Sequence, residues 1–320
     1  MAYKVLIPQD IPPEAKALLE RAGGEIKMGR GRAESDLIAD IPDCEALVAR
    51  TVPVTRAVLE AAGKLRIISR FGVGVDNIDL AAADSLGIWV ANTPQANSLS
   101  VAEHVVALML ACATDLIAAG SEMRRGNFAY RDRVMGFELA GKTLGIVGLG
   151  RIGGALAKIA GDGLSMRIIA HDPYLKPELA PPGVEMAGEW DRVFREGDFV
   201  SLHLPGGPGA RKIGAREFAL MKETAILVNC ARGELVVEKD LLAALRSGRI
   251  GGAALDVFEK EPPDPDNPLL VLPNVVATPH DSSFTREAFR RMGEHMAKNI
   301  EEVMSGRRPA WPVNNPMAGR

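Results

Sequence analysis

Residues 143–172 read TLGIVGLGRIGGALAKIAGDGLSMRIIAHD, and this stretch decides the fold. An apolar run leads into a glycine loop at 148–153, an alanine-rich helical stretch follows, and a second apolar run ends at His171 and Asp172. The first two glycines allow a tight turn and close approach to a pyrophosphate, and the third lets helix and strand pack together. The helix N-terminus offers N–H groups and a partial positive charge to the phosphates. The order strand, glycine loop, helix, strand, acid therefore predicts a dinucleotide-binding unit.

The predicted cofactor is NAD rather than NADP. Asp172 would accept hydrogen bonds from the ribose hydroxyls and would repel a 2′-phosphate. The next two positions hold Pro173 and Tyr174, so neither supplies an arginine for such a phosphate. The residues of this unit that we predict to bind NAD are Gly148, Gly150, Arg151, Ile152, Gly153 and Asp172.

Length and composition restrict the class of protein. A chain of 320 residues, 47% apolar and 25% charged, suggests about two globular domains. The net charge of −3, without a long block of either sign, argues against a nucleic-acid partner. The sequence holds no run of roughly 18 apolar residues, so we expect no membrane partner.

The three cysteines, Cys44, Cys112 and Cys230, lie far apart along the chain. Their spacing fits neither a zinc site nor a disulfide framework, so we predict no metal. The N-terminal segment 1–8 reads as a first strand and lacks the longer apolar core of a signal peptide. These features predict a protein of the reducing cytoplasm.

The first third of the chain alternates strand-like and helix-like segments, which favours a parallel sheet. The predicted strands are 4–8, 46–49, 65–69 and 88–92, and the predicted helices are 13–22 and 55–62. A long helix then begins at Ser100, with Glu103 completing a capping box. This helix is apolar on nearly all sides through Ala113, so it is either buried or part of an interface.

The rest of the chain continues the alternation after the glycine loop. Further predicted strands are 199–203, 225–229, 252–255 and 275–277, and further predicted helices are 216–220 and 239–246. A final helix runs from Thr285 to about residue 304 and is closed by Gly306.

Histidine and arginine at strand ends are the candidates for chemistry beside a dinucleotide. His280 follows the strand 275–277 and titrates near neutrality, so it could exchange protons. Arg232 follows the strand 225–229 and suits bidentate capture of a carboxylate, although a surface salt bridge is the alternative. His203 either lines the cofactor cleft or satisfies backbone groups, and His104, inside the apolar helix, fits a core or interface role better than catalysis.

Two carboxylates follow the strand 252–255. Asp256 ends this strand, and Glu261 precedes two prolines. A carboxylate in contact with His280 would orient the imidazole and raise its pKa, whereas two solvated loop residues are the alternative. Spacing along the chain does not decide between these interpretations.

The chain resembles the D-isomer-specific 2-hydroxyacid dehydrogenase family, most closely its 3-phosphoglycerate dehydrogenase branch in a short form without a regulatory domain. The resemblance covers nearly the whole chain. It rests on the segments 70–79, 97–104, 148–153, 229–233, 254–263 and 278–280.

The resemblance implies an α/β protein with two Rossmann-like or flavodoxin-like lobes, each with a parallel sheet. A substrate lobe, 1–97, would be completed by a C-terminal helix and tail, 287–320, with an NAD lobe, 98–286, inserted between them. The NAD lobe would also form a homodimer.

The resemblance also implies roles for individual residues. Arg232 would bind the substrate carboxylate, His280 would act as the acid–base group, and Glu261 would be its partner. Substrate contacts would come from Arg50, Val73 and Gly74. Further NAD contacts would come from His203, Leu204, Cys230, Ala231 and, near the nicotinamide amide, Asp256.

The expected activity is hydride transfer between NAD(H) and a D-2-hydroxy acid or its 2-keto form, with 3-phosphoglycerate as one such acid. A hydroxypyruvate or glyoxylate reductase is the alternative within this class. An NAD-sensing interaction protein related to a transcriptional corepressor is the alternative from another class.

Overall fold

A computed structural model describes residues 2–316 and divides the chain into two compact units. Unit 1 combines the chain up to Asn97 with the chain from Phe284 onward, and unit 2 is Ser98–Ser283. The second boundary lies three residues before the predicted one. Residues 284–286 belong to unit 1 because Phe284 packs on Phe289 and Thr285 caps the last helix. The part of the predicted tail at 317–320 lies outside the described residues.

Unit 1 is built on a five-stranded parallel sheet with the strand order β2-β1-β3-β4-β5. The strands are β1 (Tyr3–Ile7), β2 (Gly24–Met28), β3 (Ala46–Ala49), β4 (Ile67–Arg70) and β5 (Trp89–Ala91). The helices between them are α1 (Pro13–Arg21), α2 (Glu34–Asp40), α3 (Arg56–Ala61) and α4 (Leu80–Ser85). The sequence did not predict β2, which is an edge strand with few apolar residues, nor the short helices α2 and α4.

Both faces of this sheet are covered. Val5 and Val48 face one apolar cluster, whereas Leu6 and Leu47 face another, and all four are fully buried. Strands buried on two faces read as continuous apolar runs, which is the pattern of parallel sheets. The predicted α/β class with parallel sheets is confirmed.

Unit 2 is built on a seven-stranded parallel sheet with the order β12-β11-β10-β9-β6-β7-β8. The strands are β6 (Thr143–Val147), β7 (Arg167–His171), β8 (Val184–Met186), β9 (Phe199–Leu202), β10 (Ile226–Asn229), β11 (Gly252–Leu255) and β12 (Val275–Ala277). The helices are α5 (Ser98–Thr114), α6 (Leu116–Arg124), α7 (Arg151–Lys158), α8 (Trp190–Glu196), α9 (Ala215–Leu220) and α10 (Glu238–Arg246). The chain order reverses between β6 and β9, and ligands of such sheets bind at the carboxyl ends of the strands at that point.

The first helix of unit 2 begins two residues earlier than predicted. Ser100 therefore lies inside α5 and is buried, so the predicted capping box with Glu103 is wrong. The last helix, α11 (Arg286–Met304), belongs to unit 1, and the Thr285 hydroxyl accepts a hydrogen bond from the backbone N–H of Ala288. Among residues 2–316, no single helix is long and apolar enough to span a membrane, although α5 and α6, bent by 66°, satisfy the length and composition together.

Candidate active site

The glycine loop lies at the carboxyl end of β6. Gly148 has φ +92°, and a Cβ there would approach the carbonyl oxygen of His203 to 2.6 Å. A Cβ on Gly153 would collide with the carbonyl oxygen of Gly148, whereas a Cβ on Gly150 would meet open space. The loop is therefore tight on the protein side and open at Gly150, which fits the approach of a pyrophosphate. Arg151 and Ile152 form the first turn of α7, whose N–H groups would face the phosphates.

Asp172 follows β7 and lies beside the glycine loop. Its Oδ2 accepts a hydrogen bond from the backbone N–H of Leu149 at 2.9 Å, and its Oδ1 accepts one from the backbone N–H of Tyr174 at 2.9 Å. These bonds hold the carboxylate at the end of the loop. This geometry fits the predicted contact with ribose hydroxyls.

His203 directly follows β9, at the same carboxyl edge of the unit 2 sheet as the glycine loop. Its backbone N–H donates to the carbonyl of Val147 at 2.8 Å, and its Nε2 is hydrogen-bonded to the Ser201 hydroxyl at 2.9 Å. Burial lowers the pKa of His203 to about 4, so the ring is neutral near pH 7. Leu204, the next residue, packs against a buried apolar cluster of unit 2.

The segment after β10 brings two further predicted cofactor residues to this edge. Cys230 is buried, and burial raises the pKa of its thiol well above the ordinary range. It is therefore protonated at neutral pH and is no nucleophile. The backbone N–H of Ala231 donates to Asn229 Oδ1 at 3.0 Å, which shapes the turn before Arg232.

His280 and Glu261 form a close pair. His280 Nδ1 lies 2.6 Å from Glu261 Oε2, and Glu261 Oε1 accepts the backbone N–H of Phe258 at 3.2 Å. The hydrogen bond to Glu261 raises the pKa of His280, although burial opposes the shift. Burial would raise the pKa of Glu261, but the hydrogen bond and charge of His280 outweigh it and lower the pKa. Glu261 is therefore in contact with His280 and is not a solvated loop residue, a choice that sequence spacing left open.

Asp256 holds the chain on both sides of His280. It is fully buried, and its carboxylate accepts hydrogen bonds from the Thr278 hydroxyl at 2.6 Å and from the N–H groups of Asp281 and Ser282 at 3.0 and 3.1 Å. These bonds support the backbone of His280, which has the unusual φ of +53°. Asp256 is therefore placed to fix the orientation of the imidazole, a role that sequence spacing did not indicate.

His104 extends this network from α5. Its Nε2 lies 3.1 Å from the Thr278 hydroxyl, 3.8 Å from Asp256 Oδ1 and 4.0 Å from Asp281 Oδ1. Potential ligand atoms of His104, Asp256 and Asp281 lie within 4.8 Å of one another. Hydrogen bonds from the Thr278 hydroxyl and from two backbone N–H groups satisfy the Asp256 carboxylate. Thr278 is the residue of this network that sequence reasoning missed.

Arg232 lies in the turn that packs against the loop carrying Glu261. A Cβ on the next residue, Gly233, would collide with the carbonyl of Phe258, so glycine permits the two loops to touch. Arg232 Nη1 donates to the carbonyl of Ala231 at 2.6 Å. The positive charge of Arg232 lowers the pKa of His280 and so opposes protonation of that ring. The structure thus brings Arg232, Glu261 and His280 together within unit 2.

Unit 1 carries the other predicted substrate-binding residues. Arg50 follows β3, donates from Nη1 to the carbonyl of Asp10 at 2.7 Å, and lies 5.8 and 5.7 Å from the ring centroids of Phe284 and Phe289. Burial, followed by the charge of Arg32, lowers the pKa of Arg50.

Val73 and Gly74 belong to the turn after β4. The carbonyl of Val73 accepts from Asn92 Nδ2 at 2.7 Å, and the carbonyl of Gly74 accepts from Arg70 Nε at 2.7 Å. With both carbonyls held by side chains, this turn is fixed at the carboxyl edge of the unit 1 sheet. Its backbone N–H groups are the candidates for binding a carboxylate.

Residues 106–282 match the family described as D-isomer specific 2-hydroxyacid dehydrogenase, NAD binding domain. D-3-phosphoglycerate dehydrogenase of Methanocaldococcus jannaschii is 45% identical over 98% of this chain, and the match covers 60% of that protein. Glyoxylate reductase of Korarchaeum cryptofilum is 39% identical over 98% of this chain and 96% of the relative. The crystal structure of TT0316 protein from Thermus thermophilus matches with a TM-score of 0.90 and 35% identity, covering 97% of this chain and all of that one.

The chain spans about 60% of the length of the phosphoglycerate dehydrogenase relative named above, and nearly all of the glyoxylate reductase. The family match covers more than half of the chain and contains the glycine loop, Asp172, Arg232, Glu261 and His280. The chain belongs to the D-isomer-specific 2-hydroxyacid dehydrogenase family, and unit 2 contains its NAD-binding domain.

Proposed function

We propose that this protein interconverts a 2-keto acid and a D-2-hydroxy acid, with NAD(H) as the redox partner. The observation that carries the proposal is the His280–Glu261 pair at 2.6 Å, beside Arg232 and within the NAD-binding unit. An acid–base group and a carboxylate-binding group are the two parts that such a reaction requires of the protein.

His280 would supply the proton during reduction. NADH, when bound, supplies a hydride to the keto carbon. Because Nδ1 is engaged by Glu261, Nε2 is the nitrogen available to protonate the keto oxygen. The Glu261 carboxylate stabilises the imidazolium before transfer, and in the oxidative direction the neutral imidazole accepts the proton from the hydroxyl group.

Arg232 would hold the substrate carboxylate through its planar guanidinium. In unit 1, we propose Arg50 and the backbone of Val73 and Gly74 as further substrate-binding groups. The proposed NAD contacts are those of the glycine loop, Asp172, His203, Leu204, Cys230, Ala231 and Asp256.

The proposed substrate class is a small 2-hydroxy acid, with a phosphorylated three-carbon acid favoured by Arg50. Arg50 is half-buried and pairs with no carboxylate within 4 Å among residues 2–316, which suits it to an external anion. A hydroxypyruvate or glyoxylate reductase is the second candidate, because one relative that the chain matches over nearly its whole length carries the name glyoxylate reductase.

Turnover on three keto acids with NADH distinguishes these candidates. We expect kcat/KM for phosphohydroxypyruvate to exceed the values for hydroxypyruvate and glyoxylate. A preference of more than about tenfold for the unphosphorylated acids, which corresponds to about 1.4 kcal/mol, would assign the reductase activity instead. NADH binding without turnover of any acid would point to an NAD-sensing interaction protein.

Replacing Glu261 by glutamine tests the pair. In the parent, the hydrogen bond to Glu261 raises the pKa of His280, so the protonated form persists to higher pH. Removing the negative charge lowers this pKa, and the high-pH decline of kcat/KM for reduction should move to lower pH. Glu259→Gln, an exposed position in the same loop, is the matched control and should leave the profile unchanged. An unmoved profile in Glu261→Gln would reject the pairing.

Cofactor choice is expected to depend on the charge of Asp172. The parent should show higher kcat/KM with NADH than with NADPH, because the carboxylate repels a 2′-phosphate. Asp172→Asn removes the charge and keeps one of the two acceptor oxygens that bind the N–H groups of Leu149 and Tyr174, so it should raise the NADPH-to-NADH ratio of kcat/KM. A parent enzyme that favours NADPH would refute the assignment of NAD.

We also propose that unit 2 forms a homodimer. The helix α5 buries eight of its residues in unit 2, so the exposed apolar surface comes mainly from the segment that follows it. That surface consists of Leu116, Ile117, Met123, Phe128, Met135 and Phe137. An apolar surface of this kind marks an interaction site, and a second copy offers an identical apolar face.

Light scattering on a sizing column should give twice the mass of one chain at micromolar concentration. Ile117 is 61% exposed, so Ile117→Asp should favour the monomer without disturbing the core. A parent protein that elutes as a monomer would contradict the dimer.

We further propose a cytoplasmic location, which the unpaired cysteines Cys44, Cys112 and Cys230 suit.

A further inference from the structure

A series of hydrogen bonds connects the helix α5 to the loop that carries His280, entirely within unit 2. His104 Nε2 lies 3.1 Å from the Thr278 hydroxyl, and that hydroxyl donates to Asp256 Oδ1 at 2.6 Å. Asp256 also accepts hydrogen bonds from the backbone N–H groups of the two residues that follow His280. The series therefore joins α5 to the chain on both sides of His280.

The direction of these hydrogen bonds follows from the groups that form them. A carboxylate can only accept, so the single proton of the Thr278 hydroxyl is donated to Asp256. The hydroxyl oxygen can then act only as an acceptor toward His104. Of the two ring nitrogens of His104, Nε2 is therefore one that carries a proton, and it donates that proton to Thr278.

The helix α5 holds His104 at a fixed position. Its neighbours Val101, Ala102 and Val105 are buried in an apolar cluster of unit 2, and the His104 side chain is only 22% exposed. A side chain on a packed helix is held more precisely than one on a loop. His104 can therefore hold Thr278 in place, because the donor stands on a rigid element and the acceptor belongs to a loop.

The backbone of His280 requires support of this kind. Its φ of +53° lies in the left-handed region, which residues other than glycine keep only where surrounding contacts hold them. Glu261 binds the ring through Nδ1, whereas Asp256 binds the backbone that follows the histidine. If the hydrogen bonds at Asp256 weaken, the loop can relax toward a more common backbone conformation, and His280 Nε2 moves away from the keto oxygen.

We propose that His104 is a positioning residue of the reaction: it donates from Nε2 to Thr278, directs the Thr278 hydroxyl toward Asp256, and thereby holds His280 in the geometry for proton transfer. The inference rests on the proposed function and adds to it a residue of α5. Hydrogen bonds in series strengthen one another, so loss of the first donor weakens the bond from Thr278 to Asp256. Asp256 keeps its two backbone N–H partners, so its proposed contact with NAD should remain.

The first test compares His104→Phe, His104→Gln and the control Glu103→Gln. Phenylalanine fills the space of the ring without a donor, and we expect kcat for keto-acid reduction to fall by about two- to tenfold, the contribution of one hydrogen bond. Glutamine restores an N–H donor, so His104→Gln should recover most of this loss. Glu103→Gln, at an exposed position of the same helix, should leave kcat unchanged. NADH affinity, measured by fluorescence titration, should stay at the parent value in all three variants.

A double-mutant cycle separates the positioning role from a general effect on packing. Thr278→Val removes the hydroxyl through which His104 acts and keeps the shape of the side chain. Adding His104→Phe to Thr278→Val should lower kcat no further, because the interaction between the two residues is already lost. Losses of kcat that multiply would show that His104 acts independently of Thr278 and would overturn the inference, as would an unchanged kcat in His104→Phe alone or an equal loss in His104→Gln.

A measurement without turnover separates this inference from the proposed function. Proton–nitrogen correlation NMR of the histidine rings, assigned with the His104→Gln variant, reports which nitrogen of His104 carries a proton. We expect a proton on Nε2. A bare Nε2 in an active enzyme overturns the positioning role alone, whereas a parent that reduces no keto acid overturns the proposed function and the positioning role with it.

Discussion

Replacement of His280 by alanine is expected to lower kcat for keto-acid reduction by about 10²- to 10⁴-fold, the contribution of a positioned acid–base group. The imidazole is held on several sides: Glu261 binds Nδ1 at 2.6 Å, and Asp256 and Thr278 support the backbone around it. Alanine removes the proton donor but leaves the glycine loop and Asp172 untouched. NADH binding, measured by fluorescence titration, should therefore survive.

The control for this prediction is His295→Ala. His295 lies in α11 of unit 1, where its ring stacks on Trp311 with centroids 4.0 Å apart. Loss of this histidine should leave kcat near the parent value. A His280→Ala enzyme with near-normal kcat would contradict the proposed role of His280.

Replacement of Arg232 by lysine is the second large effect that we expect. Lysine keeps the positive charge but loses the planar fork that can bind both oxygens of a carboxylate. One charge-assisted hydrogen bond contributes about 1.5–3 kcal/mol, so kcat/KM should fall by about 10- to 100-fold. Steady-state kinetics on one keto acid measures this loss.

Arg246→Lys is the matched control, because Arg246 is exposed in the last turn of α10 and the same chemical change is made there. It should leave kcat/KM unchanged. An Arg232→Lys enzyme as active as the parent would reject bidentate binding of the substrate carboxylate.

The elements that sequence predicted well are those with strong local patterns. The strands β3, β11 and β12 have the predicted bounds, since short apolar runs between turns define them. The glycine loop is predictable because its backbone geometry requires glycine at fixed positions. Gly148 has φ +92°, and Gly153 packs against the backbone of Gly148. The sequence does not predict the edge strand β2, because this strand is only partly buried and lacks a continuous apolar run.

The site was harder to predict wherever distant segments meet. Nothing near His280 in sequence indicates that its backbone rests on Asp256, or that Thr278 links Asp256 to His104 in α5. The start of α5 was placed wrongly because Ser100 and Glu103 match a capping box, whereas the helix begins at Ser98. Local motifs predict the chemistry, and packing between distant segments determines how the side chains are oriented.

The configuration of the product tests the central claim most directly. The purified chain is incubated with hydroxypyruvate and NADH, and the glycerate formed is resolved by chiral chromatography while NADH oxidation is followed. We predict D-glycerate in a one-to-one ratio with the NADH consumed. Formation of L-glycerate would contradict this claim, as would the absence of NADH oxidation with hydroxypyruvate, phosphohydroxypyruvate and glyoxylate alike.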